Sequence, residues 1–366
     1  MLNGNIAVVF GGVSNESEIS VITGTMALNV LKKGGVNALP VYISMDGRFC
    51  CDERLADINE YSSGDFSRFA NCVVADGGVY ILKKGKKIKK FIPLRAAINC
   101  CHGGIGEGGG LCGLFGFAKI PLAGAGMYAS SAFMDKSFTK LALKALDIPV
   151  LPYAEVRSSK DIPEAIEKIG FPLVVKPACL GSSIGVSVAN DERELSAAVG
   201  VALAYDKKAV CEPYLKDKRE INVAVCCIGG EAVVSDCEEA FSSDCLLTFD
   251  DKYTGGGKSQ FPADLPPDMA ESIKNMAKDV YLKTEMRGVA RFDFLLSGEN
   301  VYLSEVNTVP GSLAYYLNAK SFKEFFPVLV SLIEQAIADF EEAGKKRVIA
   351  TGILRGIKKG GKGVKT

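Results

Sequence analysis

The stretch RFDFLLSGENVYLSEVN, Arg291 to Asn307, holds two apolar runs around a turn, with polar residues where a plain strand would be apolar. Side chains alternate along a strand, so Arg291 and Asp293 share one face of the first run, and Glu305 and Asn307 share one face of the second. SGEN marks the turn. A loop of Gly298, Glu299 and Asn300 pairs Ser297 with Val301, and sets Asp293 opposite Glu305 and Arg291 opposite Asn307. Opposed residues have Cβ atoms about 5 Å apart, where like charges destabilise the pair. A two-residue loop instead shifts the register by one and sends the acids to opposite faces, solvated and without function. The first register calls for a cation between the carboxylates. Oxygen donors of the Asp, Glu and Asn type suit Mg²⁺ or Mn²⁺, and Mg²⁺ commonly binds one or two carboxylates plus substrate phosphates. The hairpin therefore asks for a nucleotide site elsewhere in the chain.

The rest of the chain bounds that idea. Its 366 residues carry no net charge and are 48% hydrophobic, enough for two or three domains with ample core. Neutral charge gives no general case for nucleic acid. No apolar run reaches the roughly 18 residues that a membrane span needs. The start, MLNGNIAVVFGG, reads as a first strand and not as a signal peptide. The twelve cysteines include strand-like contexts such as NCCHGG and VAVCCIGG, with no paired Cys-x-x-Cys spacing. Reduced, buried thiols in a cytoplasmic protein are expected, in preference to a metal or disulfide framework.

Along the chain, NIAVVFGG is an apolar run stopped by glycines, SNESEISVITGTMALNVLKKGG has helical periodicity, and NALPVYISMDG is a second strand. AAINCCHGGIGEGGGLCGLFGFAKIPLAGAG continues as strand, glycine loop, helix and strand. That alternation predicts a parallel-sheet α/β domain over residues 1–124. A second unit is expected over 125–211, opening with a Ser-capped helix in SSAFMDKSFTKLALKALD and continuing through the strand FPLVVKP to KAVCEPYL. A third, over 212–350, opens with REINVAVCCIGGEAVVSDCEEAF, a hairpin with a Gly-Gly turn. Residues 241–262 are too long and polar for an ordinary connection and read as a lid. The basic, Gly-rich residues 351–366 read as a mobile tail.

The phosphate site has one good candidate. In VVKPACLGSSIGV, Lys176 ends a strand, and the small residues Gly181, Ser182, Ser183 and Gly185 free backbone N–H groups and two hydroxyls for an anion. No Gly-Lys-Ser/Thr opens a helix here, so this is not the common mononucleotide loop. Lys136 in FMDKSFTK offers a second cation, unless it is a solvated helix lysine.

Taken together these segments resemble the ATP-grasp superfamily and, within it, the D-alanine–D-alanine ligase family. VVFGGVSNESEIS, HGGIGEGGGLCG, MDK, VVKP, GSSIGV, CEPYL, DDKY, RFDF and EVNTVPG follow in the family's order between about Ile6 and Leu317. The resemblance implies an ATP-grasp architecture: an N-terminal parallel-sheet domain, then ATP held between two α+β subdomains. It also implies a two-step ligation, in which ATP phosphorylates the carboxylate of one D-alanine and the amine of a second attacks the acyl phosphate. Carried over by position, Glu16 holds the first substrate's ammonium with help from Ser182. His102, the only histidine, lies near the same substrate unless it serves as an ordinary core or surface residue. Lys136, Lys176 and Ser183 face ATP phosphates. Glu212, Pro213 and Leu215 line the adenine site, and Glu220 holds the ribose. Lys252 and Tyr253 sit on the lid, Lys252 on the phosphates and Tyr253 closing over Ser182. Asp293, Glu305 and Asn307 bind two Mg²⁺ or Mn²⁺ ions, and Arg291 with the Gly311 N–H stabilises the oxyanion. The resemblance further implies peptidoglycan precursor synthesis and a homodimer.

Two segments depart from the family pattern. Its loop usually reads Gly-Glu-Asp-Gly with a Gln beyond, where this chain has Gly108 and Cys112. Its metal motif is usually followed by Pro-Gly-Met-Thr-Ser and then a Ser-Leu pair that holds the second amino acid. Here the sequence is PGSLAYYLN, with Tyr316 at the serine place and then Leu317. A ligase with another acceptor, such as another D-amino acid, a hydroxy acid or an amine, therefore stays open. So does a nucleotide-binding module without turnover, although the retained Lys176, Arg291 and Asp293 argue against it. An NAD-type dehydrogenase lacks the glycine spacing in FGGVSNES.

Overall fold

Strand Asn5–Gly11 is the pivot of the N-terminal sheet. The computed structural model describes residues 2–83, 87–241 and 258–349. It pairs that strand in parallel with Asn37–Ile43 on one side and the end of Ile88–Asn99 on the other, the latter in parallel with Leu122–Ala123. Ile6 to Phe10 are buried without a break, as a parallel strand covered on both faces requires. The parallel expectation needs one amendment. The first half of Ile88–Asn99 runs antiparallel to Gly78–Leu82, which in turn pairs with Cys72–Ala75. The composition explains it: IKKFIPLR is largely exposed and AAIN is buried, so one strand serves a half-solvated ribbon and then the covered core.

Two antiparallel sheets follow. The smaller has the order Ser187–Ala189, Leu173–Pro177, Ala209–Pro213, Ala154–Val156. Leu173, Val175, Ala209 and Cys211 pack with helices Ile162–Ile169 and Glu192–Tyr205. Strand alternation therefore turns Val174, Lys176 and Glu212 to the other face. The larger has the order Lys258–Gln260, Glu238–Phe241, Arg219–Ile228, Val289–Ser297, Asn300–Asn307, with Glu231–Val234 also paired to Arg219–Ile228. The expected Gly-Gly turn is there: Gly229 and Gly230 have φ of 61° and 88°. Phe292, Phe294 and Leu296 pack under helix Pro267–Lys283, which leaves the Arg291 and Asp293 face open to the cleft. The final helix, Phe322–Gly344, buries Phe325, Leu329, Leu332 and Ile333 in a core that includes Leu28 and Leu31 of the first helix and Ala224 and Cys226 of the larger sheet. It ties the N-terminal sheet to the larger one.

One expected element is different. SSAFMDKSFTKLALKALD is not a single Ser-capped helix but two helices, Met127–Met134 and Lys136–Ala145, broken at Asp135. Asp135 has extended backbone (φ −100°, ψ 111°), and its carboxylate accepts the Ser137 and Phe138 N–H groups. Aspartate is a better cap than the helix is a continuous rod at this point. Lys208 holds the cap at 2.8 Å. Lys252, Tyr253, most of the lid expected over 241–262 and the tail lie outside the described residues.

Candidate active site

The hairpin settles its register in a way that neither loop length anticipates. The turn is Gly298 and Glu299, and Ser297 pairs with Asn300, not with Val301. Gly298 has φ 60°, which suits the first central position of a two-residue turn. That turn alone would part the acids. A β-bulge restores them: between Phe294 and Asp293 the partner jumps from Leu303 to Glu305, and Ser304 is left over. Beyond the bulge Asp293 stands opposite Glu305, and Arg291 opposite Asn307. The same bulge lets Leu303 and Val306, three residues apart, both face the core.

The pairing continues across the sheet. Asp293 lies beside Asn222, and Asn222 beside Glu238, so Glu238, Asn222, Asp293 and Glu305 form one row over four strands. Each hairpin acid has a cation. Arg291 is bidentate on Asp293 at 2.7 and 2.8 Å, and Asn307 Nδ2 donates to Asp293 Oδ2 at 2.9 Å. Lys136 Nζ is 2.9 Å from Glu305 Oε1 and donates to the Leu180 carbonyl at 2.6 Å. Lys136 is thus no solvated helix lysine. The Asp135 break places it at a helix start, where it joins the glycine/serine loop to the acid hairpin.

This row floors a cavity of about 330 Å³, which Glu16, His102, Ser182, Gly311 and Tyr316 also line. A second cavity of about 120 Å³ adjoins it between the two antiparallel sheets. Lys176, Ser183, Glu212, Pro213 and Leu215 line that one, and Lys136, Ser182, Glu220, Asp293 and Glu305 line both. The structure thus gathers all the described candidate side chains except Leu317, whose side chain packs into the core with Leu313 and Phe325.

At the floor of the second cavity Glu212 lies between two lysines, 2.6 Å from Lys176 Nζ and 2.5 Å from Lys140 Nζ. The Lys140 contact is one of charge, since its ammonium makes no hydrogen bond of good geometry. Burial alone would raise the Glu212 carboxyl, but Lys176 and Lys140 override it and hold it down to about 2. Burial lowers Lys140, with Glu212 opposing. Lys176 is raised: burial works against its charge, and Glu212, Glu305 and Glu220 more than compensate. Glu220 is paired with Lys218.

The first cavity is closed by the N-terminal sheet's loops. Ser182 Oγ donates to Glu16 Oε1 at 2.5 Å. Gly181 permits that approach, because a Cβ there would lie 2.7 Å from Glu16 Oε1. Ser182 and Ser183 both have left-handed backbone, φ 55° and 58°, a strain typical of functional loops. His102 is buried, which pushes it down to about 4 against a hydrogen bond to the Val309 backbone. Its ring is therefore neutral at pH 7. Glu107 accepts the Gly103 N–H at 2.7 Å and the Val309 N–H at 3.0 Å. Burial pushes Glu107 up to about 7, while those donors pull towards the ionised form.

Five contributors were not singled out from the sequence: Thr23, Glu107, Lys140, Asn222 and Glu238. Lys140 carried a signal, being one helical turn beyond Lys136, and Asn222 shares a strand face with Glu220. Glu238 carried none, since only the strand order brings it into the row.

Comparison with known proteins agrees with this geometry. Residues 5–125 match the family model for the D-ala D-ala ligase N-terminus, and residues 142–337 match that for the D-ala D-ala ligase C-terminus. The chain belongs to the D-alanine–D-alanine ligase family. As a member of that family it is an ATP-dependent ligase with the ATP-grasp fold. A D-alanine–D-alanine ligase of Thermosipho africanus is 34% identical over 356 residues, covering 93% of this chain and 95% of the relative. The crystal structure of the D-alanine–D-alanine ligase from Helicobacter pylori superposes with a TM-score of 0.75 at 29% identity, over 90% of this chain and 98% of that one. The VanG D-Ala:D-Ser ligase of Enterococcus faecalis shares the fold, with a TM-score of 0.76 at 24% identity over 90% and 99% of the two chains. Among the described residues of this D-alanine–D-alanine ligase family member, no helix is long and apolar enough to cross a membrane. The cysteines described are free thiols, and most are buried.

Proposed function

We propose that the cleft joins two molecules of D-alanine at the expense of ATP, for peptidoglycan precursor synthesis in the cytoplasm, in a homodimer. The observation that carries this reading is the opposed pair Asp293 and Glu305, with Arg291 and Lys136 on its acids, lining both cavities at once. Phosphoryl transfer is chiefly positioning and charge neutralisation, and this floor supplies both. Adenine would lie against Pro213 and Leu215, the ribose on Glu220, and the phosphates toward Lys136, Lys176 and Ser183. Lys252 would join them from the lid. Asp293, Glu305 and Asn307 would hold two Mg²⁺ or Mn²⁺ ions. The donor set fits, being hard oxygen. Among the described residues no group of three or more acidic, His or Cys side chains could hold a metal alone, as expected where substrate phosphates complete the shell. Bound ions would neutralise phosphoryl charge.

The remaining roles follow from placement. Glu16, held by Ser182 with Tyr253 closing above, would take the first ammonium. Neutral His102 would lie beside that substrate. Arg291 and the Gly311 N–H would face the oxyanion as the second amine attacks. Tyr316, with Leu317 behind it, would border the acceptor. A different acceptor is a second reading that one observation favours: the Tyr316 hydroxyl is 3.3 Å from Arg291 Nη1 and shares the cavity with the Glu238 carboxylate, a more polar and crowded wall than a methyl group needs. The test is ATP turnover with Mg²⁺ and D-alanine, with products read by mass spectrometry. D-alanyl-D-alanine is expected. ATP hydrolysis without dipeptide would move the assignment to the other acceptors.

A further inference from the structure

Thr23 has no part in the roles above, yet it touches two of their supports. It lies seven positions beyond Glu16, two turns along the first helix, and is completely buried. Its Oγ1 is 2.7 Å from His102 Nε2 and accepts the Ser312 N–H at 2.9 Å. The Val309 backbone lies on the other side of the same ring. Thr23 Oγ1 already accepts the Ser312 N–H, and its contact with Nε2 ties the tautomer of His102 to this one hydroxyl.

The same oxygen meets an unusual turn. Ser312, Leu313 and Ala314 all have left-handed backbone, φ 49°, 51° and 47°. Residues with a Cβ do not hold that conformation unaided, and three in succession need outside support. Two hydrogen bonds from the N-terminal sheet's side supply it, one on each side of Gly311. Glu107 takes the Val309 N–H and Thr23 takes the Ser312 N–H.

We propose that Thr23 is a positioning residue for the ligation, its one hydroxyl setting the His102 tautomer and anchoring the left-handed turn that aims the Gly311 N–H. This rests on the reading that His102 and Gly311 face the reacting carboxylate. The test uses the full chain with Thr23→Val, which keeps the shape and removes the hydroxyl, and Thr23→Ser, which keeps the hydroxyl. Thr23→Val should lower kcat for D-alanine ligation about 10- to 100-fold, the scale of a small misplacement. Thr23→Ser should stay within about threefold of the parent on the same scale. Nucleotide Kd should not move in either variant, since Lys176 and Glu212 lie on another sheet. The single histidine gives a second readout, because its imidazole ¹⁵N signals stand alone. They should report one dominant tautomer in the parent and a mixture in Thr23→Val. Parent-like kcat in Thr23→Val, an unchanged tautomer, or equal losses of kcat and nucleotide affinity would each overturn the proposal. A parent enzyme that ligates nothing would overturn the site reading instead, and the tautomer would still decide whether Thr23 governs His102.

Discussion

Replacing Glu212 by glutamine should damage this protein more than its mild chemistry suggests. The carboxylate is 3% exposed and sits between Lys140, 1% exposed, and Lys176, 19% exposed. Its fall from 4.5 to about 2 corresponds to about 3 kcal/mol of preference for the ionised form, at 1.36 kcal/mol per pH unit. Glutamine leaves both ammonium groups without that charge. Lys176 can turn to the cavity and has Glu305 and Glu220 in its field. Lys140 cannot turn, and breaking a buried pair from one side costs about 3–5 kcal/mol. The expected loss is therefore about 3 kcal/mol, measured by urea unfolding of the full chain. Far-UV circular dichroism is the probe, because the chain has no tryptophan. Adding Lys140→Met removes the stranded charge and should recover about half of the loss, since apolar replacement of a buried pair is often neutral. The folded value is depressed, so Glu212's contribution is complete above about pH 4.5 and disappears as pH falls towards 2. The gap between parent and Glu212→Gln should close over that window. A single variant within about 0.5 kcal/mol of the parent, the scatter of harmless substitutions, would refute the argument. So would a double variant less stable than the single.

Asp293→Asn removes the acid that Arg291 and Asn307 both grip, and should lower Mg²⁺-dependent ADP release at least about 100-fold; a loss below tenfold would exclude Asp293 from the metal floor. Ser312→Gly exchanges a left-handed strain of about 1–2 kcal/mol for glycine's extra unfolded freedom of about 0.5–1 kcal/mol, so stability should hold or rise. A thermal midpoint that drops clearly would contradict the left-handed turn. Tyr316→Phe deletes the hydroxyl beside Arg291 and should change KM for the acceptor while KM for ATP stays put. A change confined to ATP would remove Tyr316 from the acceptor wall.

What could be read from residues alone was what is local. Arg291, Asp293, Glu305 and Asn307 betray themselves because polar residues at strand spacing conflict with a core-facing pattern. Lys176 and the Gly181–Ser183 loop follow one another directly. The bulge was invisible because Ser304 looks like any strand serine, and only the pairing shows that it has no partner. The Asp135 cap is hidden in the sequence because the helical periodicity of SSAFMDKSFTKLALKALD continues through it. Glu238 and Asn222 depend on strand order, which local periodicity does not encode. Thr23 and Glu107 act across |i−j| separations of 289 and 202 residues, onto backbone atoms that carry no residue identity at all.

The bulge also makes the hairpin unequal in what lengths of chain it tolerates. One residue added at Gly298–Glu299 would enlarge a surface loop and leave the strands in step. One residue excised at Ser304 would remove the bulge, bring Glu305 next to Leu303 and leave it opposite Asp293, with Val306 still in the core. The floor of the cleft would keep its acids, and the strand would lose only its local kink. In the drift of such sequences, single-residue gaps should therefore gather at the tip of this hairpin and at position 304, and avoid the stretch between them, where a missing residue would turn Leu303 off the core or shift Glu305 against Asp293.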